Sequence, residues 1–205
     1  MLVDNESNGN KKFLNVFDGR IVERVPEGTP NAVGRELQMG NNAGKTVYEV
    51  THSSALGMIV GGGIEVKEFG GKKVPEIQVE NEDGEVLQLP MSFLSHFAKP
   101  LPNVDPTLPV KIAVYKSKAG KQGLNIAQTN DPEWREKTIA NQPVEWNQVE
   151  WFYSKEEPNG LPSVEKDELG DWDFRDHDKF LRLKVVEFFN THFGSPAEEE
   201  DDVPF

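Results

Sequence analysis

Cysteine is absent from this 205-residue sequence, and histidine occurs only four times. Without thiols the chain has no disulfide, no thiolate nucleophile, no iron–sulfur cluster and no cysteine-ligated zinc site. His52, His96, His177 and His192 are then the only soft metal ligands. These two shortages exclude most metal and redox chemistry.

Long apolar runs are also lacking. No run approaches the roughly 20 residues that a membrane-spanning helix needs. The first residues carry neither the basic segment nor the apolar segment of a signal peptide. We therefore expect a soluble, cytoplasmic protein that does not bind membranes, and its length fits one domain with elaborations.

Recognised catalytic motifs are missing as well. Residues 40–46 resemble a phosphate-binding loop, but three residues rather than four separate the two glycines, and a strand pattern follows instead of a helix. Residues 171–178 hold four carboxylates and an imidazole in a spacing that fits no calcium loop or zinc helix. We therefore predict that the protein is not an enzyme and has no catalytic residue, no metal site and no cofactor.

Basic residues are outnumbered, with 22 Lys and Arg against 35 Asp and Glu and a net charge of -13 at pH 7. Spread evenly, this charge would repel nucleic acids. However, residues 196–205 hold five acids and no base, residues 145–178 hold 11 acids and three bases, and residues 111–121 hold four lysines and no acid. The net charge therefore does not exclude a nucleic-acid binder. We predict a flexible N-terminus at 1–10 and a disordered acidic tail at 196–205.

The pattern before residue 130 is mainly β. Short runs of Val, Ile, Phe and Tyr alternate with clusters of Gly, Asn, Asp and Pro. Two of these clusters, Gly70-Gly71 and Asp83-Gly84, are typical of hairpin turns. The runs predict strands near residues 12–17, 20–25, 45–52, 58–68, 74–80, 85–89, 110–117 and 123–128.

A short helix, predicted over residues 93–99, interrupts the strands before the final hairpin. A Greek-key barrel of the OB type places its helix between the third and fourth of five strands, which fits this order. We therefore predict a mainly β domain over residues 11–195, an OB-fold-like Greek-key barrel with one short internal helix and a C-terminal amphipathic helix. Other small barrels and sandwiches also fit the number of strands.

Residues 130–193 form an extension of this domain and contain all four tryptophans. Residues 144–153 are compatible with a further strand, on which Trp146 and Trp151 occupy opposite faces, so we expect at least one of them to be buried. Residues 177–193 are predicted to form the C-terminal helix because their apolar residues recur at helical spacing. A helix this apolar packs either on the barrel or on a second subunit, so a homodimer is one of two expected arrangements.

The final predicted hairpin, with its four clustered lysines, is the main candidate for a binding site. Alternation along its first strand directs Lys111 and Tyr115 to the outer face, and the turn carries Lys116, Lys118 and Lys121. A tyrosine ring stacks on any base and ammonium groups neutralise phosphates, which is the chemistry of single-stranded nucleic-acid binding. An ordinary basic hairpin that keeps an acidic protein soluble is an equally good explanation.

Other features add to this candidate site for single-stranded DNA. The further basic residues are Arg20, Arg24, Lys72 and Lys73. In the strand at 12–17, alternation separates Leu14 from Phe13 and Phe17. Either the face with the phenylalanines is a stacking platform, or it belongs to the core and the C-terminal helix covers Leu14.

The end of the sequence carries the most specific motif. Five acids at 198–202 precede Val203, Pro204 and Phe205. The proline restricts the backbone and presents the Phe205 ring beside the terminal carboxylate, while the acids steer a basic partner at long range. This ending resembles the acidic C-terminal peptide of bacterial and bacteriophage single-stranded DNA-binding proteins, which finishes in Asp-Asp-aliphatic-Pro-Phe.

The resemblance covers the tail closely and the first 130 or so residues in architecture only. It implies that the barrel binds single-stranded DNA during replication, recombination and repair. It also implies that the tail recruits replication proteins such as a polymerase, helicase or primase, and that it competes with DNA for the basic groove. The residues that match the docking motif are Asp201, Asp202, Val203, Pro204 and Phe205.

The chain departs from the bacterial members of that family in two respects. No long Gly-, Gln- or Pro-rich linker precedes the tail, and the bacterial form has no obvious counterpart of residues 130–193. Both departures favour a phage-encoded, replication-associated variant. Two alternatives from other classes stay open: an adaptor or recombination mediator that shares the tail without the DNA groove, and an acidic DNA mimic that inhibits a nucleic-acid enzyme.

Overall fold

In the computed structural model, the described residues are 11–38, 42–69 and 71–194, so the predicted segments at 1–10 and 196–205 lie outside them. Strands dominate, and the prediction of a mainly β protein is confirmed. The strands are β1 (Lys12–Phe17), β2 (Arg20–Val25), β3 (Val33–Glu36), β4 (Thr46–His52), β5 (Ala55–Gly57), β6 (Ile59–Phe69), β7 (Lys72–Asn81), β8 (Glu85–Pro90), β9 (Val110–Lys116), β10 (Gln122–Gln128), β11 (Asn147–Gln148), β12 (Glu165–Lys166) and β13 (Trp172–Asp173). The helices are α1 (Leu94–Ala98), α2 (Trp134–Ile139) and α3 (Arg175–Phe193), with 3-10 turns at Met91–Phe93 and Leu101–Asn103. None of the helices in this part of the chain is long and apolar enough to cross a membrane.

All the strands predicted from the sequence are present, as β1, β2, β4 and β6 to β10, and their ends differ from the prediction by only a few residues. Five short elements, β3, β5, β12, β13 and α2, were not predicted. Residues 144–153 contribute only β11, which pairs with the end of β10. The expectation that Trp146 or Trp151 is buried is wrong, since both are partly exposed and Val149 supplies a buried side chain of this segment instead.

Two sheets carry the fold. The larger sheet has the order β3-β4-β2-β1-β8-β7-β6, and within it only β1 and β8 run parallel. The smaller sheet has the order β11-β10-β9-β5 and is antiparallel. The chain passes from the smaller sheet to the larger one at Met58, the residue between β5 and β6. A separate two-stranded ribbon, β12-β13, precedes α3.

The described strands do not close into a barrel, so the predicted OB type is not confirmed. A closed barrel has no edge strands, whereas here the larger sheet ends at β3 and β6 and the smaller sheet ends at β11 and β5. The pairing of the strands explains why the sheets stay open. The N-terminal strand β1 occupies one edge of β8, in parallel, and β11 occupies one edge of β10, so these edges are not free to close a barrel. The coarser prediction of a mainly β fold with a C-terminal helix is confirmed.

The hydrophobic core lies between the two sheets. Leu14 of β1 and Val79 of β7 face Ile112 of β9 there, and all three are buried. Because Leu14 points inward between the sheets, alternation places Phe13 and Phe17 on the opposite, outer face of β1. The alternative in which the phenylalanines belong to the core and α3 covers Leu14 is therefore wrong.

The C-terminal helix α3 packs on its own chain, against β6 and α1. Its Phe189 is only 1% exposed and stacks on Phe97 of α1, with ring centroids 6.4 Å apart. Gly62 of β6 makes room for this ring, because a Cβ at Gly62 would lie 2.5 Å from the ring of Phe189. Of the two arrangements expected for this apolar helix, packing within the chain is the observed one.

Candidate nucleic-acid interface

The outer face of the β9–β10 hairpin carries most of the predicted site. Ile112 is buried, whereas Lys111 and Tyr115 project from the other side of β9, as alternation predicts. Lys111 lies opposite Ala127 on β10, and Tyr115 lies opposite Gly123. These small partners leave the two larger side chains above the surface of the sheet.

The ring of Tyr115 lies over Gly123 of the neighbouring strand, which has no side chain to displace it. A Cβ at Gly123 would lie 2.3 Å from both Cζ and Oη of Tyr115, so the ring lies directly over the Gly123 backbone. The side chain nevertheless remains 43% exposed. An aromatic ring supported on one side by backbone and open to solvent on the other is suited to stack on a nucleobase.

The turn between β9 and β10 presents two lysines to solvent. The Ser117 N–H donates to the Lys121 carbonyl at 2.7 Å, and the Gly120 N–H donates to the Ser117 carbonyl at 2.9 Å. Gly120 has a φ of +80°, a conformation that favours glycine. The side chains of Lys118 and Lys121 are exposed and form no ion pair with any of the described residues. Their charges are therefore available to phosphates.

Lys116, at the end of β9, is engaged by the turn between β1 and β2. Its ammonium group donates to the carboxylate of Asp18, and this hydrogen bond holds the pKa of Asp18 below its usual value. Gly19 approaches so closely that a Cβ there would lie 2.6 Å from the Cβ of Lys116. Arg20 joins the same surface, with Nη2 3.9 Å from Oδ2 of Asp18. The Asp18 carboxylate thus lies where a phosphate would contact these two bases.

The other predicted bases lie on strands of the larger sheet. Arg24 is on β2, where its Nε is 3.9 Å from Oε1 of Glu49. Lys72 and Lys73 are exposed at the start of β7, next to the β6–β7 turn of the larger sheet. The structure therefore places Arg20 beside the hairpin residues, whereas these three residues belong to other parts of the larger sheet.

The outer face of β1 is a weaker stacking platform than the hairpin. Phe17 is exposed, but the guanidinium carbon of Arg35 lies 3.9 Å from the centroid of its ring. Glu49 fixes that guanidinium through hydrogen bonds of 2.9 and 2.6 Å, and its hydrogen bonding keeps the pKa of Arg35 above the usual value. The ring of Phe17 is therefore already covered by a cation that has its own counterion.

Two tryptophans that the sequence did not place in the candidate site lie at the other end of the hairpin face. Nζ of Lys111 is 5.7 Å from the ring centroid of Trp146, and Trp134 of α2 meets Trp146 edge to face with centroids 6.1 Å apart. The only signal in the sequence was the concentration of tryptophan after residue 130. It does not indicate which rings meet, because α2 and β11 are too short to show a periodic pattern.

Comparisons with known proteins identify no relative of this chain. The chain matches no protein-family model, none of the curated proteins and no solved structure. A function for this surface has to be argued from its own residues and geometry.

Proposed function

We propose that this protein binds single-stranded DNA, without strong sequence preference, on the outer face of the β9–β10 hairpin. The observation that carries the proposal is the exposed ring of Tyr115, supported by Gly123, in the same hairpin as Lys118 and Lys121, which have no ion pair with any described residue. Stacking tolerates every base because each base has a π face, and lysines neutralise the backbone whatever its sequence. Such a protein acts in DNA replication, recombination and repair in the bacterial cytoplasm, which is the cytoplasm of the host if a phage encodes the protein.

The order of the elements supports an OB-type arrangement as part of the same proposal. Strands β6, β7 and β8, helix α1 and strands β9 and β10 follow each other as the five strands and single helix of an OB fold do. In that fold the loops after the first and fourth strands contact oligonucleotides. Here these loops are the β6–β7 turn beside Lys72 and Lys73 and the β9–β10 turn with Lys118 and Lys121. Both basic turns would then contact the oligonucleotide.

A salt-titrated binding assay tests the proposed function. Labelled oligo-dT and a duplex of equal length are compared by fluorescence anisotropy at several salt concentrations, because affinities for nucleic acids are interpretable only with the salt stated. We expect preferential binding of the single strand, with an affinity that falls as salt rises. Equal or absent binding of the two DNAs would reject the proposal in favour of the adaptor or DNA-mimic alternatives.

Tyr115 is expected to contribute directly to this binding. Tyr115→Ala should cost roughly 1–3 kcal/mol of binding free energy for oligo-dT if a base stacks on the ring. Gly123→Ala should weaken binding as well, because its Cβ displaces the ring from its position. Tyr115→Phe is the matched control, since it keeps the ring and should bind nearly as well as the wild type. Unchanged affinity of the alanine variant at Tyr115 would assign the ring to packing.

The acidic tail is proposed to compete with DNA and to recruit replication proteins. Its residues lie outside the described part of the chain, so this rests on the sequence motif alone. Deleting residues 196–205 should raise the affinity for oligo-dT at low salt and abolish capture of a replication helicase, primase or polymerase in a pull-down. Phe205→Ala keeps all five acids and should abolish capture while leaving DNA affinity unchanged. If the deletion does not change DNA affinity, the tail does not compete.

A further inference from the structure

A cluster of aromatic and cationic side chains lies at the end of the smaller sheet away from the β9–β10 turn. Trp146 lies next to both Lys111 and Trp134, at the distances given above. The guanidinium carbon of Arg135 lies 5.2 Å from the ring centroid of Trp134. Both tryptophans are partly exposed, and neither belongs to the buried core. Both residues therefore lie at the surface of the described part of the chain.

Arg135 and Lys137 of α2 pair with several acids near this cluster. Arg135 donates to Asp83 at 2.9 Å and also to Glu82, which fixes its guanidinium beside Trp134. Lys137 of the same helix binds Asp131 at 2.7 Å. Because these acids are paired, they repel an approaching phosphate less than free carboxylates would.

The cluster continues the face that carries Tyr115. Lys111 and Tyr115 point to the same side of β9 and are four positions apart, about 13 Å along the strand. The pairing of Asn147 with Gln128 places Trp146 one position beyond the end of that ladder, so Trp146 and Tyr115 are separated by about 20 Å along the strand direction. Stacked nucleotides advance by about 3.4 Å per step, so roughly six steps span this separation.

We propose that Trp146, supported by Trp134, is a second base-stacking site on the path of the same single strand, and that Lys111 neutralises a phosphate between it and Tyr115. This inference rests on the proposed function and adds the path that the strand follows over the protein. The strand leaves the ring of Tyr115, runs along the outer face of β9 and places a further base on Trp146.

The chain contains a matched control for this proposal. Trp172 on β13 also has a lysine over its ring, with Nζ of Lys166 5.3 Å from the ring centroid, and it is 62% exposed. It lies on the separate β12-β13 ribbon and not in the smaller sheet that carries Tyr115. An exposed tryptophan with a lysine over its ring therefore also occurs outside the proposed path of the strand.

The test compares Trp146→Ala with Trp172→Ala on (dT)3 and (dT)12. The first variant should weaken binding of (dT)12 by about fivefold to 150-fold, because one stacked base is lost. It should also reduce the gain in affinity from (dT)3 to (dT)12, since only the longer strand reaches both rings. The second variant should bind like the wild type.

A spectroscopic measurement keeps the test valid if the alanine variant folds poorly. Trp146→Phe retains an aromatic ring, so it should still bind (dT)12 while losing part of the quenching of intrinsic fluorescence that binding causes. Trp172→Phe should keep that quenching. The inference is overturned if both alanine variants bind (dT)12 equally well and quenching survives in Trp146→Phe. If the wild-type protein does not bind (dT)12, the proposed function falls and this inference falls with it.

Discussion

Replacing Lys116, Lys118 and Lys121 together by alanine should weaken the binding of oligo-dT and flatten its salt dependence. Each phosphate contact on a single strand contributes about 0.7 to the slope of log K against log salt, so the slope should fall by up to about 2. Lys118 and Lys121 have no ion pair among the described residues, whereas Lys116 must first release Asp18. Anisotropy titrations of the wild type and the triple variant at several salt concentrations measure both effects.

A second triple variant separates local contacts from the overall charge of the protein. Replacing Lys155, Lys166 and Lys179 by alanine lowers the net charge by the same amount, but these lysines belong to the acidic C-terminal part of the chain. We expect this control to keep the wild-type slope, because exposed charges beyond a Debye length of roughly 10 Å are largely screened. An equal loss in both triple variants would place the DNA site outside the hairpin.

Phe189→Ala should have the largest effect on stability. The ring is buried against Phe97 and Gly62, so its removal leaves a cavity where α3 meets α1 and β6. Truncation of a buried phenylalanine typically costs about 3–5 kcal/mol. Urea denaturation followed by circular dichroism should show this loss as a lower free energy of unfolding.

Leu183→Ala on the same helix is the control for that measurement. Leu183 is 49% exposed, so its truncation should change the free energy of unfolding by no more than about 0.5 kcal/mol. Similar and small losses for the two variants would mean that α3 is not docked on the sheet in solution. A large loss for Leu183→Ala alone would show that its exposed face is covered, for instance by a second subunit.

The strands with a pattern of their own could be predicted, and the short ones could not. β9 alternates core-facing and outward residues from Val110 to Tyr115, and this alternation both identifies the strand and assigns its faces. β5 and β11 have three and two residues, too few for any periodicity. They exist because β9 and β10 offer free edges to which the backbone of a nearby segment can bond.

The candidate site likewise has a part that could be predicted from the sequence and a part that could not. Lys111 and Tyr115 share a face because they are separated by an even number of positions on one strand, which is visible in the sequence. The contact between Trp134 and Trp146 is not visible there, because it depends on how α2 folds back beside β11. The position of Asp18 against Lys116 likewise depends on a turn 98 residues away in the chain.

What the sequence alone determines about this protein is its strand content, the C-terminal helix, the outward lysines and tyrosine of the final hairpin, and the uneven distribution of its charge. These follow from local periodicity and composition, which need no knowledge of distant contacts. Only the tertiary structure decides that β1 takes the free edge of β8, that the described sheets remain open, and that α3 packs on its own chain. These outcomes depend on which of several suitable partners each edge and apolar face meets, and that choice is made by packing across the whole molecule.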